Sequence, residues 1–135
     1  MNAAATVRAY YAALRAGDPL VPFFASEETT VKFGIGERLT GYAEIGEGLT
    51  AQTETTAEWR IESDRLVVTE RTDHAWFSDD VFMAWRDLET DTRYEFETRW
   101  SGTLERRPDA PWEGRGPATP WRFVGMHVST PGGTE

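Results

Sequence analysis

The 135-residue chain has no cysteine, two histidines and a single lysine, Lys32. Without thiols it forms neither disulfides nor thiolate metal sites, which fits a reducing compartment, and the expected location is cytoplasmic. The two imidazoles, His74 and His127, show no ligand-like spacing with other donors, so neither a metal nor a cofactor is expected. No apolar run is long enough to cross a bilayer. The opening residues read as a helix of the mature protein, not as a basic-then-apolar leader. Positive charge is also scarce, and the formal net charge is -9. Nucleic acid and acidic membranes both want a basic face, so neither is expected as a partner. An acid excess with almost no lysine fits either adaptation to high salt or simple solubility charge. The chain also lacks a glycine-rich phosphate loop, a nucleophile elbow and a zinc-helix motif.

What the chain does have is aromatic side chains, with six Trp, seven Phe and four Tyr. Val7, Tyr10, Tyr11 and Leu14 fall at i, i+3, i+4 and i+7, one stripe of an amphipathic helix, and Gly17 suits its C-terminal cap. Asp18-Pro19 predicts a second, short helix that buries Leu20, Phe23 and Phe24. Thr29 to Ile35 reads as a strand with Val31, Phe33 and Ile35 on one face. A third helix is expected from Gly41 to about Gln52, with Tyr42, Ile45 and Leu49 as its apolar side. From Thr55 onward the chain reads as strands: Trp59–Ile61, Leu66–Thr69, Ala75–Leu88, Arg93–Arg106 and Trp121–Thr130. Arg93–Arg106 alternates Tyr94, Phe96, Trp100 and Leu104 with Arg93, Glu95, Glu97, Arg99 and Glu105. Pro108 to Pro120 reads as a long hairpin loop, and residues 131–135 as a frayed tail. The whole, residues 1–135, is read as one α+β domain: three N-terminal helices laid across a curved antiparallel sheet that encloses a conical cavity.

The closing stretch Trp121-Arg-Phe-Val-Gly-Met-His-Val-Ser129 and the order of elements resemble the SnoaL-like branch of the nuclear transport factor 2-like superfamily. Asp73-His-Ala-Trp76 resembles that family's strand opening, and Thr98-Arg-Trp-Ser-Gly-Thr-Leu104 its penultimate strand. Gly125 stands where the family's last strand commonly has a first histidine, and His127 keeps the second. Ala9-Tyr-Tyr-Ala-Ala-Leu-Arg-Ala-Gly-Asp18 is similar to the first helix of ketosteroid isomerase, a member of the same superfamily. That resemblance puts Tyr10 at the oxyanion-hole tyrosine. It also aligns Thr30-Val-Lys-Phe-Gly34 with the segment carrying the isomerase base, where Phe33 replaces the aspartate. The strand expected to supply the second donor reads Trp100-Ser101-Gly102, with no acid. Lacking a base, steroid isomerisation loses its first step.

The candidate catalytic groups are Tyr10 and His127. The candidate ligand contacts are Tyr10, Phe33, Trp59, Trp76, Trp100 and His127. Strict alternation places His127 on the face of Trp121 and Phe123, where it meets either a ligand or a partner subunit. Asp73-His74 reads as an edge pair, since neighbours in a strand point to opposite sides. Asp79 and Asp80 interrupt an apolar strand, either as a solvated bulge or as a buried acid. The leading functional expectation is a dimeric protein that binds a small apolar or aromatic molecule in the cone. The alternatives are an isomerase, cyclase or hydro-lyase using the same pocket, and a non-catalytic dimerisation module with the pocket filled.

Overall fold

The computed structural model describes residues 1–108 and 117–131. Most of the expected 108–120 loop and of the 131–135 tail lies outside the described residues.

Helix α1 runs Ala3–Ala16. Asn2 caps it by accepting the Ala5 N–H at 2.8 Å, and Gly17 ends it in the left-handed conformation at φ 73°. In that conformation only glycine is unstrained, and the Asp18 N–H then reaches back to the Ala13 carbonyl at 2.9 Å. The helix buries Val7, Tyr10, Tyr11 and Leu14, the stripe read from the spacing.

The expected second helix does not form. In its place is one 3-10 turn, Val21–Phe23, without a side-chain cap. Pro22 sits in its first residues and Phe24 already turns extended, so the segment has room for a single turn. Its Phe23 and Phe24 still pack edge-on against Tyr10, at 5.3 and 5.8 Å between ring centroids. Among the described residues the fold therefore has two α-helices, not three. The other, α2, runs Tyr42–Thr55 from Gly41 at φ 88° and buries Ile45 and Leu49.

Among the described residues seven strands form a single sheet: β1 Val31–Gly34, β2 Glu37–Thr40, β3 Thr56–Ser63, β4 Val67–Glu70, β5 His74–Asp87, β6 Thr92–Arg106 and β7 Trp121–Ser129. The order is β2-β1-β7-β6-β5-β3, with β4 also paired to β5. The β1–β7 pair is parallel, so the sheet is mixed and not wholly antiparallel as expected. Strand β2 was not anticipated. Gly36 at φ 69° closes a tight hairpin that lays Glu37 opposite Gly34.

The inner face of the sheet meets the helices. Ala75, Phe77, Asp79, Val81 and Met83 of β5 point inward, opposite Leu104, Gly102, Trp100, Thr98 and Phe96 of β6. The alternation expected for β6 is thus the one observed. Two bulges break the regular alternation elsewhere. In β7 the register slips between Phe123 and Gly125. Trp121 and Phe123 face inward before it, Met126 and Val128 after it, and the residue left over is Val124. In β3 the slip falls between Ala57 and Arg60, where Glu58 takes φ 57°. An extra residue in one strand rotates everything beyond it to the opposite side of the sheet.

Candidate functional site

Between the inner face and the two helices lies a cavity of about 210 Å³. Tyr10 and Leu14 of α1 and Gln52 of α2 form its roof, and Trp59, Met83, Trp85, Trp100 and Val128 form much of its wall. Trp59 and Trp85 stack at 4.9 Å, and Tyr11 meets Trp100 edge-on at 5.3 Å. The β3 bulge allows Thr56 and Trp59, an odd number of residues apart, to line the same cavity, and the Trp59 indole N–H donates to Thr56 Oγ1 at 2.9 Å.

The charged groups of the cavity come from the β1–β2 hairpin, and α1, α2 and β3 add the Tyr10 hydroxyl, the Gln52 amide and the Thr56 hydroxyl. Lys32 points inward because it pairs with Met126 in β7 and with Leu39 in β2. Its Nζ donates to Glu37 Oε1 at 2.6 Å, and both residues line the cavity. The Lys32 side chain is 9% exposed and that of Glu37 31%. Gly34 leaves the space this pair occupies, since a Cβ there would lie 2.8 Å from Glu37 Oε1 and 3.4 Å from Lys32 Nζ. Tyr10 is buried, yet its hydroxyl makes no hydrogen bond among the described residues. No fully buried polar side-chain atom among them lacks a partner, so this hydroxyl is the end of Tyr10 that opens onto the cavity. Burial, and secondarily the Glu37 carboxylate, push the phenol's pKa far up, which keeps it a proton donor.

Of the residues expected from sequence to contact a ligand, Tyr10, Trp59 and Trp100 line the cavity. Phe33, Trp76 and His127 do not. His127 is exposed on the outer face, because the Val124 bulge turns it away from Trp121 and Phe123. Phe33 pairs with it in the parallel ladder, and the two rings meet edge-on at 6.1 Å. Trp76, 43% exposed, lies between the His74 ring and the Arg71 guanidinium. His127 borders a separate outer recess of about 300 Å³ with Arg65, Asp80, Arg99, Ser101 and Ser129 among its lining.

The Asp79-Asp80 interruption divides by face. Asp80 is exposed and lies 3.6 Å from Arg65. Asp79 is buried, with no bulge in the β5–β6 pairing around it. It accepts from Tyr11 Oη at 2.9 Å, Ser63 Oγ at 2.6 Å and the Arg65 backbone N–H at 2.9 Å. Asp73 and His74 do hydrogen-bond, at 2.9 Å on the surface, because Asp73 precedes the strand and is free of its alternation. His74 holds the Asp73 carboxyl below its usual range. Arg99 donates to the Thr130 carbonyl rather than to its acidic neighbours, whereas Arg93 lies 3.5 Å from Glu95.

Sequence reasoning missed Lys32 and Glu37. The available signal was that Lys32 is the chain's only lysine, set in an apolar strand. It was obscured because Val31, Phe33 and Ile35 beside it read as the apolar face of the strand.

The SnoaL-like domain model matches residues 3–132. No curated protein matches the chain by sequence. Among solved structures, a nuclear transport factor 2-like superfamily protein from Salmonella enterica serovar Typhimurium superposes with a TM-score of 0.76 at 18% identity, covering 96% of this chain and 89% of that one. A proposed dehydratase of the same family from Streptomyces avermitilis gives 0.75 at 15% identity, covering 94% and 92%. A ketosteroid isomerase-like protein from Erwinia carotovora atroseptica gives 0.70 at 16% identity, covering 95% and 92%. At these identities the likeness is one of fold.

Proposed function

Because the chain belongs to the SnoaL-like domain family, we propose that it binds a small, mainly aromatic or apolar molecule in the cone. The observation that carries this is the composition of the cavity wall. Three tryptophans, Met83, Leu14 and Val128 surround one ammonium–carboxylate pair, one phenol hydroxyl, the Gln52 amide and the Thr56 hydroxyl. Concave apolar walls with a few converging polar groups are the usual form of small-molecule sites. The test is titration of the protein with a neutral two-ring probe, 2-naphthamide, followed by calorimetry. Saturable binding that Trp59→Ala weakens at least severalfold supports the reading, and no heat up to millimolar probe rejects it.

The second reading is catalytic: an isomerase, cyclase or hydro-lyase acting in the same cavity. It is favoured by Glu37 standing 2.6 Å from Lys32 on a wall shared with Tyr10. A carboxylate with two proton donors around one cavity is an acid–base set. Glu37 would take a proton from the substrate while Tyr10 or Lys32 donates to the oxygen on which charge grows. The S. avermitilis relative is named a proposed dehydratase. Loss of water from β-hydroxyketones, followed by enone absorbance and abolished by Glu37→Gln, is the expected result. His127, on the outer face, takes part in neither reading.

The helix-free outer face, with Phe33, Ser101 and His127, is the surface through which we infer that two chains pair. Sedimentation should give twice 15.3 kDa, and a 15.3 kDa species at micromolar concentration would reject it.

A further inference from the structure

The geometry points to a ligand that carries one acidic oxygen, a carboxylate or a phenolate, which docks on Lys32 by displacing Glu37. This rests on the cavity being the ligand site.

Three observations on the Lys32–Glu37 pair carry the inference. The first is the spare capacity of the ammonium. It has three N–H donors, and among the described residues it uses one, toward Glu37 Oε1. The remaining donors share the cavity wall with the Tyr10 hydroxyl, which has no partner there and stays protonated. The free N–H groups of Lys32 can only donate, and the Tyr10 O–H is free to donate beside them. The ligand atom that matches this corner is therefore an oxygen rich in electrons, while the Gln52 amide on the roof suits either kind of polar atom.

The second is the asymmetry of the pair. The Lys32 side chain is 9% exposed, whereas Glu37, on the edge strand β2, is 31% exposed. Glu37 has water to move to; Lys32 does not. A ligand anion can therefore take the place of Glu37, and the site stays neutral because one carboxylate replaces another. A ligand cation would have to share the site with an ammonium that cannot leave, and like charges in a poorly solvated site repel strongly. The anion is thus accepted and the cation refused.

The third is the surroundings. An ion pair with one buried and one half-exposed partner adds little to stability compared with apolar residues of the same volume, and it is a poor choice where packing is the only need. Here it stands against the tryptophan wall, so its cost is repaid when a ligand supplies the charge. The chain's negative charge does not oppose this at contact, since exposed charges beyond roughly 8 Å are screened at physiological salt.

The experiment is calorimetry with three isosteric probes at pH 7: 2-naphthoate, 2-naphthamide and 2-naphthylmethylammonium. The wild-type chain should bind 2-naphthoate about tenfold or more tightly than 2-naphthamide, the scale of a hydrogen bond to a charged group, and the ammonium probe weakest. Lys32→Met should erase the preference for naphthoate and leave naphthamide within about threefold. Glu37→Gln, which removes the competing carboxylate, should tighten naphthoate severalfold. If naphthamide or the ammonium probe binds as tightly as naphthoate, or if Lys32→Met retains the preference, recognition of an acidic oxygen is wrong while the cavity reading stands. If none of the three binds, both fall. Should Lys32→Met not fold, Glu37→Gln decides alone, and weaker naphthoate binding in it overturns the inference.

Discussion

Asp79 and Glu37 both bring a carboxylate to the inner side of the sheet, and the fold treats the two differently. Asp79 is surrounded: Tyr11, Ser63 and the Arg65 backbone N–H all donate to it. Among the described residues Glu37 has one partner, Lys32, and its side chain is 31% exposed. The same contrast appears in the adjacent tyrosines of α1. Tyr11 donates its hydroxyl to Asp79, while Tyr10 keeps its hydroxyl unspent at the cavity. A polar group whose partners all come from the protein serves the structure. One left with unspent bonding capacity beside a cavity is available to a ligand. Burial alone does not separate these two roles, because Asp79, Tyr10 and Tyr11 are all buried.

The largest effect that would break this comparison is on stability at Asp79. Asp79→Ala strands three donors and should cost about 3 kcal/mol in urea unfolding. A cost below about 1 kcal/mol would show that the network is slack. Next comes the tyrosine pair. Tyr11→Phe should cost about 2 kcal/mol, because its bond is to a charged acceptor, and Tyr10→Phe less than about 0.5 kcal/mol. On the binding side the order reverses, with Tyr10→Phe weakening a polar ligand by about 0.5–1.5 kcal/mol.

Alkaline pH tests the same pair together. Burial first, and then Asp79, push the Tyr11 phenol far up, as burial and Glu37 do for Tyr10. Both phenols stay protonated in the folded chain where the unfolded chain has already lost its protons. Their contribution is full below about pH 10 and falls above it, by up to about 1.4 kcal/mol per pH unit for each tyrosine. Unfolding midpoints in urea from pH 9 to 11 should show this decline, and Tyr11→Phe should make it shallower.

A smaller effect is expected at Glu37. Glu37→Gln keeps an acceptor for Lys32 and should cost about 1 kcal/mol or less. The smallest is at the outer face, where His127→Ala should change stability by less than about 0.5 kcal/mol and leave affinity for a cavity ligand unchanged. An altered ligand affinity in that variant would mean that the two faces communicate.

Much of the fold was legible because it follows from regular periods. The α1 stripe, its glycine stop, the long alternation of β6 and the order of elements each depend on residues a fixed number of positions apart. The cavity wall was half legible: of its lining, Tyr10, Trp59 and Trp100 were among the residues singled out, and Lys32 and Glu37 were not. Phe33 was expected to contact the ligand, yet the β1 side chain that turns toward the cavity is that of Lys32. His127 was misplaced for a related reason. Val124 is an ordinary strand residue, and nothing local marks it as the one that fails to pair.

What the sequence determined by itself is the set of amphipathic elements, their order, and the absence of thiol chemistry and of an aspartate base at position 33. These depend on composition and on short-range periodicity, which the chain carries in any conformation. The faces were decided only by tertiary structure. The parallel pairing of β1 with β7 and the bulges at Val124 and Glu58 determine which side chains see the cavity, because a slip of one residue against a distant strand reverses every side chain beyond it. Such a slip is settled by contacts between segments far apart in the chain, and no window of neighbouring residues records it.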